Sequence, residues 1–176
     1  MTASPAKATP FSRPVAVAEL PARGLEVRVE PTPAEREALA RDLGLAAIDR
    51  LEARLKLVRN GRVVHVTGDI SADVQQTCVV TLEPFPVTMK EPVDVRFAED
   101  ARPSEREEEE LSQHDLDAPE PLLGGVVDVG ALTGEFLALG LDPYPRKPGV
   151  SFDYRDPADV EPSPFAALSR LKDGGT

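Results

Sequence analysis

The chain has 176 residues with 31 acids against 20 Lys and Arg, a net charge of −11, and only one cysteine and no tryptophan. That length fits one domain, and the lone cysteine excludes an internal disulfide and points to a reducing compartment. No apolar run reaches the roughly 20 residues of a membrane-spanning helix, and residues 1–14 lack the apolar stretch of a secretory signal, so the sequence predicts a cytoplasmic protein.

Residues 1–13 are small, Pro-containing and unpatterned, and read as a disordered tail. Val15 to Leu20 is a short strand candidate, and the alternation in Leu25–Val29 marks its expected partner strand. Thr32-Pro33-Ala34-Glu35 has the chemistry of a helix start: a hydroxyl cap, proline at the first helical position and a capping-box glutamate. Ala38, Leu39 and Leu43 continue as one stripe, and Gly44 supplies a left-handed stop. From Leu51 to Leu57 apolar and charged residues alternate, the period of a half-buried strand. Asn60-Gly61 predicts a type I′ hairpin turn. Beyond it the even positions are apolar: Val64, Val66, Ile70, Ala72, Val74, Cys78, Val80 and Leu82. Pro84 and Pro86 interrupt this run, because proline removes ladder donors. A third strand then alternates through Val87, Met89, Val93, Val95 and Phe97.

The acidity is concentrated. Residues 1–98 hold 13 acids and 13 bases, whereas residues 99–120 hold ten acids against Arg102 and Arg106. Residues 99–124 have no apolar period and read as a mobile acidic loop. That loop would repel nucleic acid, but the neutral sheet would not. Asp128 is an N-cap candidate for a second helix carrying Val129, Leu132, Phe136 and Leu139, ended by Asp142-Pro143-Tyr144-Pro145. Pro164 to Lys172 could make a short amphipathic helix, and residues 173–176 form a terminal tail.

Little here suggests catalysis. His65, His114 and Cys78 are the classical zinc-ligand types present, and neither CxxC nor HExxH occurs. Cys78 lies on the apolar parity of its strand, which favours an inert thiol. There is no GxSxG, GxGxxG or P-loop. Tyr144, Arg146 and Lys147 place an aromatic ring and two cations between prolines, a combination able to stack a base and touch phosphate.

Three separated segments carry a family resemblance. They are Cys78-Val79-Val80-Thr81-Leu82-Glu83-Pro84-Phe85, then Val127-Asp128-Val129-Gly130-Ala131-Leu132 with Glu135-Phe136-Leu137-Ala138-Leu139, and Ser163-Pro164-Phe165-Ala166-Ala167-Leu168. In this order, with an acidic segment between the first two, they resemble the YceD family of large-ribosomal-RNA accumulation proteins. The run Leu141 to Pro148 resembles the alphaproteobacterial version. The resemblance implies a role in making or stabilising large-subunit ribosomal RNA and no established catalytic mechanism. Many relatives carry a second cysteine three residues after the first; Thr81 stands there in this chain. The resemblance marks Cys78, Leu82, Pro84, Asp128, Leu132, Glu135 and Phe165 as motif residues of structural kind.

The expected architecture is α+β: an antiparallel sheet of about five strands, open or barrel-like, with two main helices and a long acidic loop. Residues 14–172 are expected to form a single YceD-like domain. The expected function is a non-enzymatic factor supporting large-subunit ribosomal RNA accumulation and ribosome assembly. It would use no cofactor, metal, membrane or small-molecule substrate. Its partners would be ribosomal RNA or a pre-ribosomal particle. The alternative is an acidic chaperone that shields a basic ribosomal protein through residues 99–120.

Overall fold

The computed structural model describes residues 9–99 and 119–152. The chain divides into a first unit, Met1–Arg146, and a second, Lys147–Thr176. The bulk of the acidic loop, Phe165 and the expected C-terminal helix lie outside the described residues.

The first unit is built on a five-stranded sheet of order β2-β3-β4-β5-β6. Its strands are β2 (Leu25–Val29), β3 (Ala47–Asn60), β4 (Val63–Thr77), β5 (Pro84–Ala98) and β6 (Glu120–Pro121). A separate two-stranded sheet pairs β1 (Pro14–Ala16) with β7 (Val126–Asp128). Helix α1 spans Pro33–Asp42 and α2 spans Val129–Gly140. The class is therefore α+β with two helices, as expected, but the main sheet is mixed and open. The chain leaves β5 at Ala98 and returns as β6 in the same direction, so Phe97 and Ala98 pair in parallel with Glu120 and Pro121. β2 and β6 remain unjoined edges, so no barrel closes.

The expected pairing of the first two strands is also corrected. Leu25–Val29 pairs with Leu57–Ala53 of β3. β1 ends at Ala16, passes into a 3-10 turn at Val17–Glu19, and pairs instead with β7. The reason is local: Asp128 accepts from the Arg13 N–H at 2.7 Å and the Ser12 hydroxyl at 2.5 Å, and Val17 donates to Gly125. These bonds hold the segment against β7.

The hairpin joining β3 and β4 closes one residue later than the sequence suggests. Asn60 pairs with Val63, so Gly61-Arg62 forms the turn. Gly61 has φ +63° and neither Asn60 nor Arg62 has positive φ. Glycine alone at the first central position is the type II′ pattern, not I′. The prolines near residue 84 do not break the sheet either. Pro84, Pro86 and Pro92 lie within β5, and β6 pairs with only its last two residues. All three share one parity, and missing donors are tolerated on an edge, where they blunt pairing with another chain.

Alternation along β3, β4 and β5 sorts apolar residues to one face. Leu51, Ala53, Leu55 and Leu57 join Val64, Val66, Ile70, Ala72, Val74 and Val93 in the core. Both helices add to this cluster, α1 through Leu39 and Ala40, α2 through Val129, Leu132 and Leu137. Burying each large side chain contributes roughly 1.5–3 kcal/mol before ordering costs. Leu137, not Leu139, completes the α2 stripe; Leu139 is 77% exposed. Gly130 lets the helix approach closely, because a Cβ there would lie 2.7 Å from the Arg13 nitrogen. The other sheet face carries Arg28, Arg50, Glu52, Arg54, Lys56, Asp94 and Arg96, and apart from Glu52 these are exposed.

Candidate nucleic-acid interface

Two regions concentrate the chemistry that could meet a polyanion. The first is the end of the sheet where β4 passes into β5. Thr77 ends β4, so Cys78, fully buried, sits at the start of the connecting turn rather than within the strand. Its N–H donates to Glu83 and its carbonyl accepts from Leu82, both at 2.9 Å. This tight loop throws Leu82 outward. Leu82 was expected on the apolar parity, yet it is 77% exposed and has φ +58°. A non-glycine residue in the left-handed region is a stored cost that surrounding structure must hold in place.

The segment after α2 is tied to this turn. Val79 donates to the Pro145 carbonyl at 2.9 Å, and buried Gln76 donates through Nε2 to the Asp142 carbonyl at 3.1 Å. Asp142 Oδ1 accepts from the Tyr144 N–H, setting the turn before the ring. Two motifs more than sixty residues apart in sequence are thereby joined. Tyr144 is 73% exposed and Arg146 is exposed. Lys147, also exposed, begins the second unit. Pro84 is exposed at the start of β5.

The other motif residues build the frame. Asp128 caps α2 by accepting from Gly130 and Ala131 N–H groups at 3.0 Å, besides holding Ser12 and Arg13. Burial alone would raise its carboxyl pKa; the bonds from Ser12, Ala131, Arg13 and Gly130 outweigh this and leave it lowered. Leu132 is buried in the core. Glu135 is exposed, and partial desolvation followed by the charges of Glu120 and Asp128 raises its pKa. Arg13 forms a bidentate pair with Glu35 at 2.8 and 2.9 Å. Glu35 also closes the capping box with Thr32. The hydrogen bonds from Arg13, then from the Thr32 backbone, bring the Glu35 pKa down to about 2.

The second region, which sequence reading did not single out, is on the uncovered sheet face. Glu52 has a side chain only 6% exposed although it sits on the polar parity of β3. Three arginines roof it. Its Oε1 takes Arg54 Nε at 2.6 Å and Arg28 Nε at 3.0 Å; its Oε2 takes Arg50 Nη2 at 3.1 Å and Arg28 Nη2 at 3.2 Å. The bonds from Arg54 and Arg50 lead in holding the Glu52 pKa down to about 2, against the opposing effect of desolvation. The sequence signal was present in Arg50-x-Glu52-x-Arg54, three alternating charges on one strand face, with Arg28 facing Arg54 only through the strand register.

Among the described residues no three His, Cys, Asp or Glu side chains gather as a metal site, and no helix is long and apolar enough to cross a membrane. A family model described as large ribosomal RNA subunit accumulation protein YceD matches residues 66–172. The chain belongs to the YceD family. The match runs from near the start of β4 through both tethered motifs, so the Cys78–Glu83 turn, the Asp128 cap and the Tyr144 segment are all family territory. β1, β2, α1 and β3, with Arg28 and Glu52, lie before it. No curated protein and no solved structure matches the chain significantly.

Proposed function

We propose that this protein is a non-enzymatic, cytoplasmic factor that supports accumulation of large-subunit ribosomal RNA by contacting pre-ribosomal RNA directly. Membership in a family described by that RNA is the observation that carries the reading. The geometry adds a route to contact. Tyr144 offers an exposed ring for a base, and Arg146, followed in sequence by Lys147, offers charge for phosphate. The backbone bond between Val79 and Pro145 fixes the segment beside the turn that holds Leu82 out. A rigid mount lowers the ordering cost of binding.

A second reading is favoured by one observation, the ten acids of residues 99–120 against two arginines. A segment so charged suits a chaperone for a basic ribosomal protein, which would act on the RNA indirectly. Paired titrations separate the two. In one, pre-ribosomal RNA is bound; in the other, basic ribosomal proteins. Reversing charge at Arg146 and Lys147 weakens RNA binding under the direct reading. Replacing Glu107 to Glu110 by Gln strengthens RNA binding by removing repulsion. Unchanged RNA affinity in the charge-reversed variant would exclude direct contact by that segment. A loss of protein binding in the loop-neutralised variant would favour the chaperone.

A further inference from the structure

We propose that Arg28 and Arg54, held by the buried Glu52 on the uncovered sheet face, form a seat for a phosphate of the bound RNA. The seat presupposes the RNA-contacting reading, but its two arginines and Glu52 lie before the residues that the family match covers.

Arg28 and Arg54 are directly opposite one another across β2 and β3. Like charges placed so repel, and the pairing costs stability unless an anion lies between them. Glu52 is one such anion, and it is also shared with Arg50. One buried carboxylate therefore serves three guanidiniums. Arg54 engages it through Nε, and among the described residues no acceptor takes its terminal amino groups, which are open to a second one. The heads stay open to solvent: Arg28, Arg50 and Arg54 side chains are 60, 58 and 68% exposed while Glu52 is 6% exposed. A buried anchor beneath exposed donors fixes the forks in advance, which is the arrangement a bidentate phosphate contact requires.

The same arginines border a hollow. It measures about 370 Å³ and is lined by Arg28, Arg54, Lys56, Glu26 and Thr67, with Gly68 among its backbone walls. At Gly68, φ is +154° and a Cβ would fall 2.0 Å from the Arg54 carbonyl oxygen. Only glycine allows β4 to approach β3 in this way, so the shape beside Arg54 is specified by sequence.

Other acids face these cations. Glu30 contacts Arg28 at 2.5 Å, Asp73 lies 3.8 Å from Arg50, and Glu26 is 3.5 Å from Lys56. Asp69 acts on Arg54 at longer range and pairs with Lys90. All of these are exposed, from 39 to 79%. Solvent-exposed pairs are weak and screened, so a phosphate with two oxygens can displace them where it cannot displace Glu52. Among the described residues the face presents no Phe, Tyr or Trp ring: Phe11 and Phe85 are buried, Phe97 packs against the core, and exposed Tyr144 and Phe152 lie outside the strands; the one imidazole there, His65, is paired with Asp94 at 2.7 Å. The seat therefore grips backbone and does not read bases.

The test uses the full chain and a short single-stranded RNA followed by fluorescence anisotropy over a salt series. Arg28→Gln with Arg54→Gln should weaken RNA binding by about tenfold and flatten the salt slope by about 0.7, the value for one phosphate contact on a single strand. Arg23→Gln with Arg41→Gln removes the same charge elsewhere and should change affinity by about threefold or less, since distant exposed charges are screened. Equal losses in the two doubles would overturn the seat. Because the first double leaves Glu52 with Arg50 alone of its three arginines, nuclear magnetic resonance of the wild-type chain provides a reading that needs no variant. RNA should shift the Arg28 and Arg54 Nε–H signals and the Gly68 amide. If they stay unmoved at saturation, the seat is wrong although the protein binds RNA. If wild type shows no RNA binding at all, the proposed function fails and the seat with it. If inorganic phosphate or a free mononucleotide moves the same signals as strongly as RNA does, the site takes free phosphate and the RNA assignment is overturned.

Discussion

Glu35 and Glu52 are both held to pKa values of about 2 by arginine, yet they serve different ends. Glu35 meets a bidentate Arg13 and closes the cap of α1, so its oxygens are committed to joining two segments of the frame. The Arg13 guanidinium is likewise occupied, with its carbon 4.9 Å from the centre of the Phe11 ring. Glu52 joins neighbours that the sheet has already placed side by side; Arg28 grips it through both Nε and Nη2, but Arg54, bound through Nε, keeps its terminal amino groups facing water. One carboxylate–arginine site is closed within the fold. The other is open on a face that both helices leave uncovered. Burial and depressed acidity alone do not separate structural from ligand-binding charge; the donors left over do.

The sharpest way to break this contrast is at Gly68. Gly68→Ala should cost about 3 kcal/mol, from left-handed strain together with a backbone clash at Arg54. Urea unfolding measures it. A cost near zero would mean that β3 and β4 separate easily beside Arg54, and the specified shape of the open site would be lost. Next is Asp128→Ala, which removes the α2 cap and the tie to Ser12 and Arg13. About 2 kcal/mol is expected by the same assay. Arg13→Ala should cost about 1 kcal/mol, because its pair with Glu35 is partly exposed. It should leave RNA affinity nearly unchanged, whereas substitution of Arg54 should do the reverse.

A smaller effect lies in pH. Both glutamates are more acidic in the folded chain than their ordinary value of 4.5. Their stabilisation is complete above pH 4.5 and is lost as pH falls toward about 2. Unfolding free energy measured across that window should decline, and the decline should be shallower in the Glu35→Gln, Glu52→Gln double variant. An identical slope in the double variant would remove both carboxylates from the account.

Local chemistry carried most of the frame into the sequence. Thr32-Pro33-Ala34-Glu35 specifies its own capping box, Gly44 its left-handed stop with φ +67°, and Asp128 its helix start, since each needs only nearby backbone. The alternation of β3, β4 and β5 was visible because one face is buried and the other wet. Partner choice was less visible. β1 pairs with β7 through bonds made across more than 110 residues, and β6 joins in parallel over only two residues. The strand parity that placed Cys78 inside also placed Leu82 inside, but the turn begins after Thr77 and alternation ends with the strand. The Glu52 site was hidden for a related reason. Its three arginines read as an ordinary solvated face until register sets Arg28 against Arg54.

Crosslinking in growing cells tests direct RNA contact more directly than any variant. Ultraviolet light is applied to cells carrying the full chain, and both RNA and protein partners are identified from the purified adducts. The account predicts crosslinks to large-subunit ribosomal RNA or its precursor, with adduct peptides containing Tyr144 or the β2–β3 strip around Arg28 and Arg54. Recovery of basic ribosomal proteins with no crosslinked large-subunit RNA would contradict it.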